Sequence, residues 1–261
     1  MGPSVELVSA AQVRVVHADS LRCISAAQTP HSSHGDLITF THEGVTGGGY
    51  LSLPSGGSGP AIIVIQEWWG LVGHITDVAD RFAAAGFVAL APDLYHGQTA
   101  AEPDEARKLL MELDLGLAGE EICKTAGYLL SRNDVTSSSV GTVGFCMGGS
   151  LSIWSGTLSD DIAACVGFYP GASWERHAPQ WERYRGKYAQ IHCAEGDGTS
   201  AAPGIREAQR EITAVGGVCE IFDYPGTQHA FFNDDRPEVF NEVAAGQAWE
   251  RTLAFLRRCL A

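Results

Sequence analysis

From residue 36 onward, short apolar runs alternate with longer amphipathic stretches. "LITFT" (37–41) and "GYLSLP" (49–54) read as short strands, and the glycines at 47–49 read as the turn between them. "AIIVI" (61–65) is a continuous apolar run rich in β-branched residues, the pattern of a strand buried on both faces. Helical spacing follows over 74–86: Ile75, Val78, Ala79 and Phe82 share one face, and Gly86 supplies the stop. "FVALAPD" (87–93) is a second buried strand, and 103–112 and 118–131 read as helices. "SVGTVGF" (139–145) predicts a strand and "MGGSLSIWSG" (147–156) a helix. "AACVGFYP" (163–170) and "YAQIHCAEGD" (188–197) predict strands on either side of a charged, Trp-rich loop. A helix over 203–216, a strand in "VCEIFDYPG" (218–226) and a long helix over 237–260 complete the series. Strand and helix in turn predict an α/β protein: a mostly parallel central sheet with helices on both faces. Residues 1–35 lack this period and end in "TPHSSHG", so they read as a weakly structured N-terminal extension to one domain over 36–261. His31 and His34 belong to that polar segment.

Composition narrows the function classes. The 261 residues are 45% hydrophobic and 18% charged, enough for one large core. The formal net charge of −14 argues against nucleic acid and anionic membranes as partners. No run approaches the length of a membrane helix, and "VELVSAAQVRVV" is too interrupted for a leader peptide. The seven cysteines are odd in number, widely spaced and without a CxxC pair. They suggest neither a metal site nor a disulfide framework, and they fit a reducing, cytoplasmic setting.

In such a sheet, ligands gather beyond the carboxyl ends of the strands. Four polar residues fall there: Glu67, Cys146, Asp197 and His229. The chain order Cys146, Asp197, His229 is nucleophile, acid, base, the order of α/β-hydrolase triads. The stretch "VGFCMGG" (143–149) has the form of a strand-to-helix turn, with Gly144 and Gly148 permitting close approach of the two elements. A helix N-terminus beside Cys146 favours thiolate over thiol.

The sequence resembles the dienelactone hydrolase family, also called carboxymethylenebutenolidases, over roughly residues 36–260. The resemblance rests on "VIQEWWGL", "FVALAPDLYHG", "VGFCMGGS", "AEGD" and "PGTQHAFFN". It implies an α/β-hydrolase fold, hydrolysis of an ester or lactone through a cysteine, and no cofactor. It implies Cys146 as nucleophile, His229 as base, Asp197 as acid, and Glu67 as the glutamate near the resting thiol. The backbone N–H groups of Met147 and Trp68 are the expected oxyanion donors. Trp69, Tyr95, Tyr169 and Phe231 are aromatic candidates for a pocket that takes a small apolar or planar substrate. Asn233 stands a few residues after His229, where members of the family carry an arginine for the substrate carboxylate. The expected partner is therefore a small-molecule ester or lactone, acted on by a monomer or small homo-oligomer. General carboxylesterase or thioesterase activity, and a non-catalytic binding role, are the alternatives.

Overall fold

The computed structural model describes residues 35–171 and 176–261, without the side chains of 199–202. The extension expected over 1–35 lies outside the described residues except for Gly35. The eight strands are β1 (Asp36–His42), β2 (Val45–Ser52), β3 (Gly59–Ile65), β4 (Val88–Pro92), β5 (Val135–Phe145), β6 (Ile162–Phe168), β7 (Tyr188–Ala194) and β8 (Val218–Tyr224). They form one sheet in the order β1-β2-β4-β3-β5-β6-β7-β8. β2 runs antiparallel to both β1 and β4, and every other pair is parallel. Among the described residues no helix is long and apolar enough to cross a membrane.

Alternation along the strands sends side chains into two cores. Ile62 and Val64 of β3 join one, together with Ile75, Val78 and Phe82 of α1 (Gly73–Ala84) and Ala248, Phe255 and Leu256 of α6 (Glu242–Cys259), the last helix in the chain. Ala61, Ile63 and Ile65 join the other, with Ile122, Ala126 and Leu129 of α3 (Leu115–Leu130). Leu151 and Ile153 of α4 (Met147–Ser155) and Ile205, Ala208 and Ile212 of α5 (Gly198–Ala214) also pack there. β3 is fully buried along "AIIVI", as its unbroken apolar run requires. The remaining helix, α2 (Pro103–Glu112), buries only Ala106 and lies at the surface.

Several boundaries differ from the sequence reading: α3 and β5 begin earlier, at Leu115 and Val135, and three others have a visible cause. The turn between β1 and β2 is at Glu43 and Gly44, both at positive φ, and the glycines 47–49 lie inside β2. They are there for space: a Cβ on Gly47 would sit 2.9 Å from the Phe40 ring, and one on Gly49 2.5 Å from the Ala91 carbonyl oxygen. α5 starts at Gly198, with Pro203 inside it rather than opening it. α6 starts at Glu242, because the Asn241 side chain accepts from the Ala244 N–H and caps the helix there.

Candidate active site

Four loops at the carboxyl ends of β3, β5, β7 and β8 converge. Cys146 occupies the one-residue link between β5 and α4, at φ 55 and ψ −116. A non-glycine residue there is strained by about 1–3 kcal/mol, and the turn persists because its neighbours hold it. The Cys146 N–H donates to Phe168 O of β6 at 3.0 Å, and its carbonyl accepts from Gly149 N at 3.0 Å. The glycines are obligatory. A Cβ on Gly144 would lie 1.9 Å from Gly148 O, and one on Gly148 2.4 Å from the carbonyl oxygens of Ile65 and Gln66. α4 thus presses its first turn onto β3 and β5, and Cys146 stands at its N-terminus.

His229 and Asp197 come from neighbouring loops that are tied together. Gly196 N–H donates to Thr227 O at 2.8 Å, and the Glu195 carboxylate accepts from Gly226 N at 2.7 Å. This sets His229 Nδ1 2.6 Å from Asp197 Oδ1. Burial opposes a charge on His229, but the bond to Asp197 and the influence of neighbouring Cys146 outweigh it and push its pKa up to about 10. The Tyr169 ring stands edge-on to the imidazole, with centroids 5.0 Å apart.

Glu67, after β3, is 2% exposed. Its carboxylate accepts from Asn233 Nδ2 at 3.0 Å and from the Tyr169 hydroxyl at 3.5 Å. Both donors are neutral.

A family model for the dienelactone hydrolase family matches residues 48–260. The chain belongs to the dienelactone hydrolase family. It is 34% identical over 237 residues to "Protein usf" of Aquifex pyrophilus, covering 87% of this chain and 99% of that protein. It is 29% identical over 243 residues to a protein of Aquifex aeolicus named "Putative carboxymethylenebutenolidase", covering 87% and 99%. A crystal structure from Klebsiella pneumoniae described as "Putative Dienelactone Hydrolase" superposes with a TM-score of 0.75 at 22% identity, over 86% of this chain and 98% of that one. That similarity shows the α/β-hydrolase fold. The protein is accordingly a dienelactone hydrolase-like hydrolase.

The other residues picked out from sequence fall into two groups in this hydrolase. Met147 is the first residue of α4, so its N–H has no partner within the helix. Trp68 and Trp69 are half-buried and pack edge to face, with centroids 5.2 Å apart. Trp69 and Asn233 line a recess of about 290 Å³ together with Val72, His74, Ala100 and Arg236. Tyr95 is buried, with its hydroxyl on the Met147 thioether at 3.5 Å. Phe231 and Tyr169 lie deeper than the tryptophans. Both are fully buried, and Phe231 packs between Tyr169 and Tyr224 with centroids 5.5 and 4.9 Å away.

Sequence reasoning missed Gln66. Its Oε1 accepts from Leu94 N at 3.2 Å and ties the loop after β4 to the end of β3. A glutamine at a strand end has many uses, and nothing in "VIQEWW" points to this one.

Proposed function

We propose that the protein hydrolyses a neutral, activated ester or lactone through Cys146, His229 and Asp197. The observation that carries this reading is the 2.6 Å bond between Asp197 and His229, set next to a cysteine held at φ 55 on a helix N-terminus. His229 Nε2 takes the thiol proton, and Asp197 fixes the tautomer and supports the imidazolium. The sulfur attacks the acyl carbon, and the carbonyl π pair moves onto oxygen. The N–H groups of Met147 and Trp68 receive that oxyanion. As the tetrahedral adduct collapses, the leaving oxygen departs with the proton from His229. A water then attacks the thioester with His229 as base, releasing the acid and restoring the thiol.

Substrate preference follows from Asn233 and Arg236. The Asn233 amide is spent on Glu67. The guanidinium of Arg236, which borders the recess, is paired with Glu238 at 3.0 Å. This favours a neutral ester over the carboxylated lactone that the family resemblance implies. Turnover of p-nitrophenyl acetate, an acyl thioester and a dienelactone by one preparation tests the reading. The ester is expected to be hydrolysed and the activity lost in C146A. Full activity in C146A would remove the cysteine from the mechanism, and a dienelactone preferred a hundredfold would overturn the substrate class.

A further inference from the structure

Tyr95 is a buried polar group that the mechanism above leaves unused, and its hydroxyl touches Met147, the residue after Cys146. Tyr95 is 4% exposed. Its backbone is fixed on three sides. Leu94 N–H donates to Gln66, Tyr95 N–H donates to Asp93 Oδ1 at 3.1 Å, and Gly97 N–H donates to Asp93 Oδ2 at 2.5 Å. The turn continues through His96 and Gly97, at φ 53 and 90. β4 lies beside β3, which lies beside β5, so this turn adjoins the loops that carry Trp68 and Met147.

The hydroxyl itself is poorly partnered. Its proton goes to Met147 Sδ at 3.5 Å, and a thioether is a weak acceptor. A buried phenol with so weak an acceptor is out of balance until a better acceptor arrives. The residue it touches is the same one whose N–H opens α4 beside Cys146.

We propose that the Tyr95 hydroxyl is a third donor to the oxyanion, turning from the Met147 thioether to the substrate oxygen as the sulfur–carbon bond forms. This rests on the cysteine reading of the site. Burial, reinforced by negative charge on Cys146, raises the Tyr95 pKa well above the usual phenol range, so the group stays protonated and able to donate at any pH at which the enzyme works. A donor whose ground-state partner is a thioether and whose transition-state partner is an anion contributes mainly to kcat.

The test compares Y95F with wild type by three measurements. The first is p-nitrophenyl acetate turnover, split into kcat and KM. The second is inhibition by trifluoromethyl ethyl ketone. The Cys146 sulfur adds to its carbonyl carbon, the π pair becomes an alkoxide in the oxyanion position, and nothing leaves. The third is alkylation of Cys146 by iodoacetamide, which displaces iodide and generates no oxyanion. Burial pushes the Cys123, Cys193 and Cys219 thiols up to about 11, 12 and 12, so these three contribute little labelling at neutral pH.

Y95F is expected to lower kcat and ketone affinity together, by about 10- to 100-fold, with KM and alkylation rate within about twofold of wild type. Inhibition is expressed per alkylatable Cys146, so any loss of folded protein cancels. Equal ketone affinity in the two proteins overturns the proposal and leaves the cysteine reading standing. A matched fall in ketone affinity and alkylation rate also overturns it, because Tyr95 would then only pack the turn. A wild type that neither turns over the ester nor binds the ketone overturns both.

Discussion

His229 is the residue whose surroundings decide most about the site. With Asp197 on Nδ1 and Cys146 nearby, its pKa stands at about 10, above the ordinary 6.5. A histidine raised on folding adds stability that is fully present below pH 6.5 and lost as pH rises through about 10. Stability should therefore fall across that window, because the unfolded chain releases the proton and the folded one keeps it. D197N removes the 2.6 Å partner, so His229 should titrate nearer its ordinary value and the slope of stability against pH should flatten. NMR titration of the imidazole and urea midpoints at the two ends of the window measure both. The side chain is 42% exposed, so solvent screens this bond and the prediction is one of slope rather than size. An unchanged titration in D197N would detach Asp197 from His229. The sequence announced this pair, because both residues follow apolar runs and fall in triad order. It did not announce the Glu67–Asn233 bond, which joins loops 166 residues apart. A contact that depends on how two loops meet has no local pattern to betray it.

Elements were legible where one pattern dominated. β3 and α4 follow from an unbroken apolar run and from glycines placed for close approach, and helix α2 was read at its observed bounds. The N-terminal hairpin was misread because glycine has two uses. It serves turns through its freedom at positive φ, and it serves crowded strands through its missing Cβ. The hairpin turn uses Gly44, at φ 83, while Gly49 lies in β2 opposite Pro92 of β4, with the Ala91 carbonyl close by. Only the antiparallel pairing of β2 with β4 separates these cases. G49A should cost about 1–3 kcal/mol, because the added methyl would meet the Ala91 carbonyl at 2.5 Å and the strand pair would have to part. Chemical denaturation measures this, and iodoacetamide labelling of Cys146 should be unaffected. An unchanged denaturation midpoint would mean that β2 tolerates a displacement the structure does not suggest.

At the scale of the whole molecule, the governing quantity is the net charge of −14. Any anionic substrate approaches a field that repels it, and the site does little locally to reverse this. Asn233 is neutral and bonded to Glu67, Arg236 is matched by Glu238, and Asp235 sits on the rim of the same recess. The field is screened over about 30 Å at 10 mM salt and about 8 Å at physiological ionic strength. Raising the salt should therefore increase kcat/KM for a carboxylated ester by about twofold or more, while its methyl ester changes little. The methyl ester meets the same Cys146, His229 and Asp197, so it controls for any effect of salt on the chemistry. The sign of the salt effect carries the information. If kcat/KM for the carboxylate falls with salt, a cation dominates locally, and Arg236 must leave Glu238 to meet the substrate. R236Q should then abolish that fall and bring the two esters level. If the rise is seen instead, R236Q should leave the ratio of the two esters where it was, because the repulsion belongs to the distributed charge of the chain and not to one side chain.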